Sequence, residues 1–175
     1  IETDPAYGKY HWTGHRNCKV SMPPQEAIKF GNRCPVCRRN LTKGVEQRVE
    51  ELADRPVGFK PAGAIGCMHL LPLSEIIATV LQASYPSVQR VWDVYNALIA
   101  EFGNEYTVLL NAPMNEMLKV VEPRIAEAIV RVREEKVKIV PGYDGVYGQP
   151  VLFEEPEKSK KRAETVKQQT IADFL

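Results

Sequence analysis

His15-Arg16-Asn17-Cys18 and Cys34-Pro35-Val36-Cys37 each carry two metal-ligating side chains with two residues between them. This spacing lets both ligands of a pair reach one ion from a tight turn. Together the pairs supply three thiolates and one imidazole, a closed tetrahedral set that leaves no position for an activating water. The sequence therefore predicts a structural zinc site, with His15, Cys18, Cys34 and Cys37 as its ligands.

The cysteines have three other interpretations. A redox C-x-x-C pair needs a thioredoxin-like strand-then-helix context, which the proline and arginines around Cys34 do not offer. A disulfide framework is disfavoured in a chain whose composition is that of an intracellular protein. His11 or Cys67 remains an alternative to His15 as fourth ligand. Cys67 and His69 form a further close pair, although a small buried thiol is the more ordinary role for Cys67.

The distribution of residues along the chain supports the metal site and adds a charge signal. All four cysteines and all three histidines lie within the first 69 of the 175 residues. From residue 9 to residue 48 there are nine Lys or Arg and two Glu, a net charge of +7 over 40 residues. Such a basic segment predicts a polyanionic partner, because phosphate contacts release counterions. A solvated basic surface is the alternative.

The overall composition excludes several classes of protein. With 44% hydrophobic and 26% charged residues, the chain is neither disordered, collagenous nor membrane-like. No apolar run approaches the ~18 residues of a membrane-spanning helix, and no basic-then-apolar signal pattern opens the chain. We expect no membrane partner and a cytoplasmic, nucleoid-associated location. Because the chain opens on Ile1 instead of methionine, we also expect a fragment of a longer protein.

The fold class predicted is α+β: a small zinc-knuckle module, then a mainly helical region with a few short strands, then a flexible tail. Pro123 indicates either a break or a first-turn position in the last helix. Ser74 is expected to cap the second helix, and Arg124, Arg131 and Arg133 to face solvent. Apolar spacing predicts helices at residues 44–52, 72–81, 87–102 and 115–135, and strands at 105–110, 136–140 and 151–153.

The end of the chain predicts a partner of its own. Its Q-x-x-I-x-x-F-L pattern is typical of peptides that dock on the sliding clamps of DNA replication. One 3₁₀-type turn would place three apolar side chains on one face, while the glutamine enters a polar pocket. A terminal helix folding back on the core is the alternative. The residues of this pattern are Gln168, Ile171, Phe174 and Leu175.

Four domains or segments follow from these patterns. They are a zinc-binding module at residues 1–60, a helical α+β domain at 61–153, a flexible charged linker at 154–167 and a clamp-binding peptide at 168–175.

Four blocks in order resemble endonuclease Q, an archaeal DNA-repair family also present in some bacteria. They are YGKYHWTGHRNC (7–18), CPVC (34–37), RVEELADRP (48–56) and PGYDGVYG (141–148). The resemblance spans residues 1–153, and the tail is similar to that of archaeal members, which bind the clamp PCNA. It implies an enzyme that nicks DNA on the 5′ side of uracil, hypoxanthine and xanthine, and at abasic sites.

In that family the chemistry belongs to an N-terminal PHP (polymerase and histidinol phosphatase) domain with His, Asp and Glu metal ligands. This sequence has no H-x-H motif and no histidine after His69. The resemblance therefore implies that the catalytic divalent metal is held by a PHP domain missing from this chain. The chain itself is expected to be non-catalytic and to bind DNA, zinc and the clamp.

An enzyme that recognises a deaminated base must take that base out of the stack. Basic side chains would then hold phosphates, and aromatic side chains would lie beside the extruded nucleotide. The residues predicted to contact DNA are Arg16, Lys19, Arg38, Arg39, Tyr10, Trp12, Tyr143 and Tyr147. Ordinary hairpin packing is the alternative for the block at 141–148.

Two other functions are alternatives to a part of a repair endonuclease. A non-enzymatic zinc-ribbon adaptor would link a partner to DNA and the clamp without any catalytic domain. A self-contained hydrolase built on Cys67 and His69 has little support, because no third orienting group or nucleophile elbow accompanies them.

Overall fold

The computed structural model describes residues 1–153, and its N-terminal part is built from short elements. Strands β1 (Thr13–His15) and β2 (Val20–Met22) pair antiparallel, with Gly14 opposite Ser21. A 3₁₀ turn joins them, and two helices, α1 (Pro24–Lys29) and α2 (Val45–Leu52), follow. Helix α2 confirms the predicted helix at 44–52. We call residues 5–52 the metal module.

The metal module has a small apolar core. Its buried apolar cluster contains four residues, Met22, Ala27, Cys34 and Leu41. A buried polar network supplements it: the Thr13 hydroxyl donates to Gln47 Oε1 at 2.6 Å and accepts from the Gly44 amide at 3.0 Å. A core of this size is too small to stabilise a fold by burial alone, and modules of this kind usually need a metal or disulfides.

A second, larger cluster unites the helices that follow, and we call residues 70–153 the helical region. Eighteen buried residues form its core, within the described part of the chain. Each fully buried Leu or Ile contributes roughly 1.5–3 kcal/mol to folding. Helix α3 packs against both α4 and α7. The helices are α3 (Leu73–Val80), α4 (Gln89–Phe102), α5 (Glu105–Leu110), α6 (Met114–Met117) and α7 (Pro123–Arg133).

The predicted strand at residues 105–110 is wrong: this segment is α5. The Asn104 side chain caps it by accepting from the Thr107 amide at 2.9 Å. Gly103, at φ 86°, ends α4 as predicted and lets the chain turn back at once. The short helix then buries Val108 and Leu109 in the core. Capping and burial outweigh the strand preference of β-branched and aromatic residues, which depends strongly on context.

Other boundaries also differ from expectation. The helix predicted at 115–135 is two helices, and Pro123 is the first residue of α7, where its missing N–H costs nothing. Ser74 does not cap α3. Pro72 occupies the cap position, and Glu105 Oε1 accepts from the Leu73 amide at 2.7 Å. A carboxylate from α5 thus replaces the local cap.

Arg133 is half-buried, not solvated as predicted. Its guanidinium donates to the carbonyls of Val108, Leu109 and Ala112 at 2.8 to 2.9 Å. These carbonyls lie at the end of α5, where the helix itself leaves them without partners. Desolvation lowers the pKa of Arg133, which nevertheless remains a cation. The side chain therefore joins α7 to α5.

A C-terminal hairpin is present as β3 (Lys138–Val140) and β4 (Gln149–Val151), which pair antiparallel. β3 lies within the strand predicted at 136–140, whereas β4 shares only Val151 with the strand predicted at 151–153. The loop between them, residues 141–148, returns to the N-terminal part of the chain. Gly142 donates to the Ala6 carbonyl at 2.9 Å, and Gly148 to the Tyr7 carbonyl at 3.0 Å. A Cβ on Gly148 would lie 2.3 Å from the Ala6 carbonyl oxygen, so only glycine allows this approach.

The described helices and strands confirm the α+β class. None of the helices within residues 1–153 is both long and apolar enough to cross a bilayer. The predicted linker at 154–167 and clamp peptide at 168–175 lie outside the described residues. The four domain boundaries stay a prediction.

Candidate metal centre and nucleic-acid interface

The four predicted zinc ligands lie together. One ligand atom from each of His15, Cys18, Cys34 and Cys37 falls within 4.8 Å of all the others. Around a tetrahedral zinc ion, ligand atoms at 2.0–2.3 Å from the metal stand roughly 3.3–3.8 Å apart. The Cys37 sulfur lies 3.3 Å from Nδ1 of His15, which identifies Nδ1 as the nitrogen facing the cluster. The donor set therefore fits zinc.

Two short turns aim these ligands. His15 ends β1, and the 3₁₀ turn Arg16–Cys18 brings Cys18 back toward it. In the second knuckle the Cys34 amide donates to the Arg39 carbonyl at 2.8 Å, and the Arg38 amide to the Cys34 carbonyl at 2.9 Å. Both turns thus close on themselves by backbone hydrogen bonds. The ligands converge because each pair is folded locally, and the antiparallel bridge between Gly14 of β1 and Thr42 then brings the second knuckle beside the first.

The electrostatics of the cluster favour a thiolate at Cys34. Burial alone would raise the pKa of Cys34, but hydrogen bonds from the Cys37 backbone, from His15 and from the Val36 backbone lower it to about 6. Desolvation, followed by the neighbouring thiols, raises the pKa of Cys18 to about 11. Backbone amides aimed at a sulfur stabilise the thiolate, which is the form that binds metal.

The alternative fourth ligands are placed elsewhere. Nε2 of His11 lies 3.3 Å from a carboxylate oxygen of Glu46, so His11 contacts Glu46 and not the cluster. Cys67 is exposed and lies with Glu2 and His69 in a separate group. The expectation that Cys67 is a small buried hydrophobe is therefore wrong. Of the three candidates for the fourth ligand, His15 is the one that lies beside Cys18, Cys34 and Cys37.

The residue after each ligand pair has an unusual backbone. Lys19 follows Cys18 at φ 52°, and Arg38 follows Cys37 at φ 64°. Both values lie in the left-handed region, which costs a side chain other than glycine about 1–2 kcal/mol. Both side chains are exposed. Glycine would adopt this conformation without strain, yet both positions carry a long basic side chain.

Three of the predicted phosphate-binding residues have free cationic groups. Lys19, Arg38 and Arg39 are exposed, and none of them forms an ion pair with an acidic group of residues 1–153. An unpaired exposed cation attracts a polyanion more strongly than a paired one does. These three residues lie beside the metal ligands, and we call them the knuckle cations.

Tyr10 and Tyr147 form an exposed aromatic surface next to the metal module. Lys9 Nζ lies 5.7 Å from both ring centroids, and the rings are exposed by 46% and 61%. A Cβ on Gly145 would lie 3.3 Å from Nη1 of Arg16 and 3.8 Å from the Tyr10 hydroxyl, so both side chains lie over this glycine. The structure thus brings Tyr10, Arg16 and Tyr147 together.

Trp12 and Tyr143 have a different position. Their backbones form a bridge, and the Trp12 amide donates to the Gly142 carbonyl at 2.8 Å. The Tyr143 ring packs so closely on Gly14 that a Cβ there would lie 2.5 Å from Cδ2. Both side chains are half-buried. They hold the loop at 141–148 against β1, and DNA contact by either stays a prediction.

Asp144 was not predicted as a site residue, although the carboxylate in the glycine-rich block was a usable signal. Its Oδ2 accepts from the Arg16 amide at 2.7 Å, and its Oδ1 from the Thr42 hydroxyl at 2.6 Å. Burial alone would raise the pKa of Asp144, but these hydrogen bonds outweigh it and lower that pKa. Asp144 therefore fixes the first knuckle relative to the hairpin loop.

Comparison with known proteins adds the relatives of this fold. Residues 72–136 match the family described as MJ0043 C-terminal domain. The uncharacterised protein MJ0043 of Methanocaldococcus jannaschii is 36% identical over 150 residues, which are 83% of this chain and 18% of that protein. The uncharacterised protein YqxK of Bacillus subtilis is 30% identical over 146 residues, 83% of this chain and 33% of that protein.

Two solved structures match nearly the whole chain. PfuEndoQ, a lesion-specific endonuclease from Pyrococcus furiosus, is 34% identical with a TM-score of 0.74, over 98% of this chain and 40% of that one. An endonuclease Q complex with a 27-mer duplex carrying an abasic lesion at the active site is 34% identical with a TM-score of 0.73, over 99% and 40%. The chain is therefore endonuclease Q-like and corresponds to about 40% of the length of that endonuclease.

Proposed function

We propose that this chain is the non-catalytic, DNA-holding part of a lesion-specific endonuclease. The observation that carries the proposal is the fold match to endonuclease Q, which includes a complex with a damaged duplex. The proposed parent enzyme nicks DNA on the 5′ side of deaminated bases, namely uracil, hypoxanthine and xanthine. This assignment supports a role in DNA repair, in the cytoplasm at the nucleoid.

Zinc is proposed as the resident metal of the His15, Cys18, Cys34 and Cys37 cluster. Four protein ligands saturate a tetrahedral ion, so the zinc supplies folding energy and no chemistry. The cluster joins β1, the 3₁₀ turn and the second knuckle into one unit. Its role is to hold the knuckle cations and Arg16 at fixed positions.

DNA is proposed to lie across the knuckle cations and the aromatic surface. The knuckle cations would bind backbone phosphates, which gives affinity without sequence preference. Tyr10 and Tyr147 offer ring faces on which an unpaired base can stack, with Lys9 and Arg16 beside them. A flipped nucleotide needs both kinds of contact, because its base leaves the stack while its phosphates stay on the strand.

The test measures binding of the chain to a duplex with one abasic site or one deoxyuridine, by fluorescence anisotropy at several salt concentrations. We expect the double variant Arg38→Gln/Arg39→Gln to weaken binding and to reduce the salt slope by about two. Lys119→Gln is the matched control, since it removes one positive charge that is paired with Glu116 in the helical region. A salt slope unchanged by the double variant would refute the proposed phosphate contacts.

The aromatic contacts predict a separate effect. Tyr147→Ala should lower affinity for the lesion duplex by about tenfold, since stacking is worth ~1–3 kcal/mol per base. It should leave the salt slope unchanged, because no charge is removed. An equal loss on an undamaged duplex would argue against stacking on an extruded base.

Phosphodiester cleavage is proposed to require a PHP domain of the parent protein, which would hold the catalytic divalent metal. The chain alone should bind a lesion duplex and leave it intact. The adaptor alternative predicts that the parent protein also leaves it intact. A nicking assay that compares the chain with its full-length parent therefore separates the two functions.

We further propose that residues 168–175 dock on the sliding clamp PCNA. Titration of the chain with an archaeal clamp in a calorimeter measures this directly. Phe174→Ala should abolish or strongly weaken clamp binding and spare DNA binding, because Phe174 is not among the residues proposed to contact DNA. Loss of DNA binding to the same extent would mean that the tail is part of the fold.

A further inference from the structure

A second group of metal-ligating side chains lies apart from the knuckles. Glu2, Cys67 and His69 each place one ligand atom within 4.8 Å of the other two. Their side chains are exposed or half-buried, so an ion from solvent has access to them. The group combines a carboxylate oxygen, a thiol sulfur and an imidazole nitrogen.

The backbone brings these residues together across a long sequence separation. Residues 1–3 and 67–70 run side by side, and Glu2 forms a parallel bridge with His69. The Glu2 amide donates to the Met68 carbonyl, and the Leu70 amide to the Glu2 carbonyl, both at 2.9 Å. Residues two apart in an extended segment share a face, which places Cys67 and His69 on one side. The backbone pairing therefore holds the three ligands in place before any ion binds.

Glu135 contacts His69 at its backbone amide and at one ring nitrogen. Its Oε1 accepts from the His69 amide at 2.9 Å and lies 3.5 Å from Nδ1 of the His69 ring. A carboxylate beside one ring nitrogen favours a ring orientation that leaves the other nitrogen free, and carboxylates in this position recur behind metal-binding histidines. Nε2 of His69 is thereby left for an ion. Glu135 is a positioning residue in this arrangement.

We propose that Glu2, Cys67 and His69 bind a second Zn²⁺ ion. Sulfur, nitrogen and oxygen together suit zinc, which is borderline soft and accepts all three donors at tetrahedral distances. Three protein ligands leave one position of the tetrahedron for water, unlike the closed set of the knuckles. The site is thus weaker than the first and open to exchange. It does not rest on the proposed DNA function.

A cleft adjoins the group on the Glu135 side of His69. It has a volume of about 240 Å³, and His69 and Glu135 line it together with Asp4. Apolar residues of the helical region also line it, including Leu71 and Val132. The acidic side chains raise the local cation concentration beside the group.

The experiment is a metal titration of the whole chain. Metal-free protein is titrated with Co²⁺ as a spectroscopic substitute for zinc, and zinc content is then measured by mass spectrometry after reconstitution. We expect two bound ions, a tight one with the strong absorption of three thiolates and a weaker one with one thiolate. Cys67→Ser and His69→Gln should each bind a single ion and retain the strong band.

Matched variants separate metal binding from damage to the fold. Met68→Leu changes the residue between the two ligands, and it should keep both ions. Glu135→Gln should weaken only the second ion, by about tenfold, because it acts through His69. Cys34→Ser should lose the strong band and keep the second ion.

Three outcomes would overturn the proposal. The first is one bound ion in the unaltered chain, with all absorption lost in Cys34→Ser. The second is two bound ions in Cys67→Ser. The third is a second ion that is unaffected by Glu135→Gln and His69→Gln alike. None of these results bears on DNA binding, so a failure here leaves the proposed function standing.

Discussion

The metal module and the helical region bury very different amounts of apolar surface. Eighteen residues form the core of the helical region, against four in the metal module, one of which is Cys34, a proposed metal ligand. The helices are stabilised by side chains that leave water. The module is held by turns, a buried polar network around Gln47 and the convergence of four ligands. The comparison teaches that a short segment can present fixed side chains without a large core.

The metal module and the helical region also differ in how their basic side chains are paired. In the helical region Lys119, Arg131 and Lys136 each pair with a nearby glutamate at 2.6 to 2.9 Å. In the metal module Lys43 and Arg48 both pair with Glu51 of α2, while the knuckle cations have no such pair within residues 1–153. Unpaired cations and left-handed backbone occur together at Lys19 and Arg38. Gln82 and Glu135 of the helical region also have left-handed backbone, so the missing ion pairs are what distinguish the knuckle cations.

Removal of the first metal should have the largest effect, because it tests the module's dependence on ligation. Cys34→Ser should unfold the module and leave the helical core folded, since zinc binding in such modules supplies ~10–16 kcal/mol. Limited proteolysis should cut within residues 5–52 and spare residues 73–133. Cys67→Ser is the matched control, which removes a thiol outside the module. If the module stayed folded without metal, its proposed dependence on the metal ligands would be refuted.

Removal of a buried cation should destabilise the helical region next. Arg133→Ala deprives three carbonyls of their donor, and we expect a loss of about 2–3 kcal/mol in the free energy of unfolding. Chemical denaturation followed by circular dichroism measures it. Lys119→Ala removes an exposed, paired cation and should change stability by less than about 0.5 kcal/mol. Similar losses for both variants would contradict the buried role of Arg133.

The polar network of the module predicts an intermediate effect. Thr13→Val leaves the Gln47 side chain and the Gly44 amide without a buried partner, so we expect a loss of about 2 kcal/mol. Zinc content should stay unchanged, because Thr13 is not a ligand. Thermal unfolding of the zinc-loaded protein is the measurement. A neutral result would show that the metal alone holds α2 against β1.

The smallest expected effect comes from the left-handed backbone at Arg38, and it separates backbone strain from DNA binding. Arg38→Gly should be about 1 kcal/mol more stable than Arg38→Ala, because glycine adopts φ 64° without strain. Both variants should weaken DNA binding equally, since both remove the guanidinium. Stability and binding are measured on the same zinc-loaded samples. If the glycine variant bound DNA like the unaltered chain, Arg38 would have no phosphate contact.

Local patterns predicted much of this fold and of its metal cluster. The ligand spacing named all four residues of the cluster, because both pairs fold within a single turn. Helical spacing located α2, α3, α4 and α7. The prediction of a strand at 105–110 was wrong because it relied on composition alone. Two nearby signals favour a helix there: Gly103 ends α4, and Asn104 caps the next helix. The Asn104 side chain and the turn at Gly103 could have corrected it.

Features that join distant segments were beyond such patterns. Asp144 contacts Arg16 and Thr42 only because the hairpin loop returns to the module. Arg133 reaches the end of α5 only because α7 packs against it. In each case the polar partner is more than twenty residues away, and the residue type alone does not name it.

Spacing over a few residues therefore predicted the three knuckle cysteines and most of the helices from sequence alone, since those depend on turns that the chain makes locally. The tertiary structure decided which of three candidates completes the knuckles, which aromatic side chains stay exposed, and that Glu2 lies beside His69. These contacts depend on how the intervening 66 residues fold. Packing of the core and backbone pairing set such distances, and neither leaves a pattern in nearby residues.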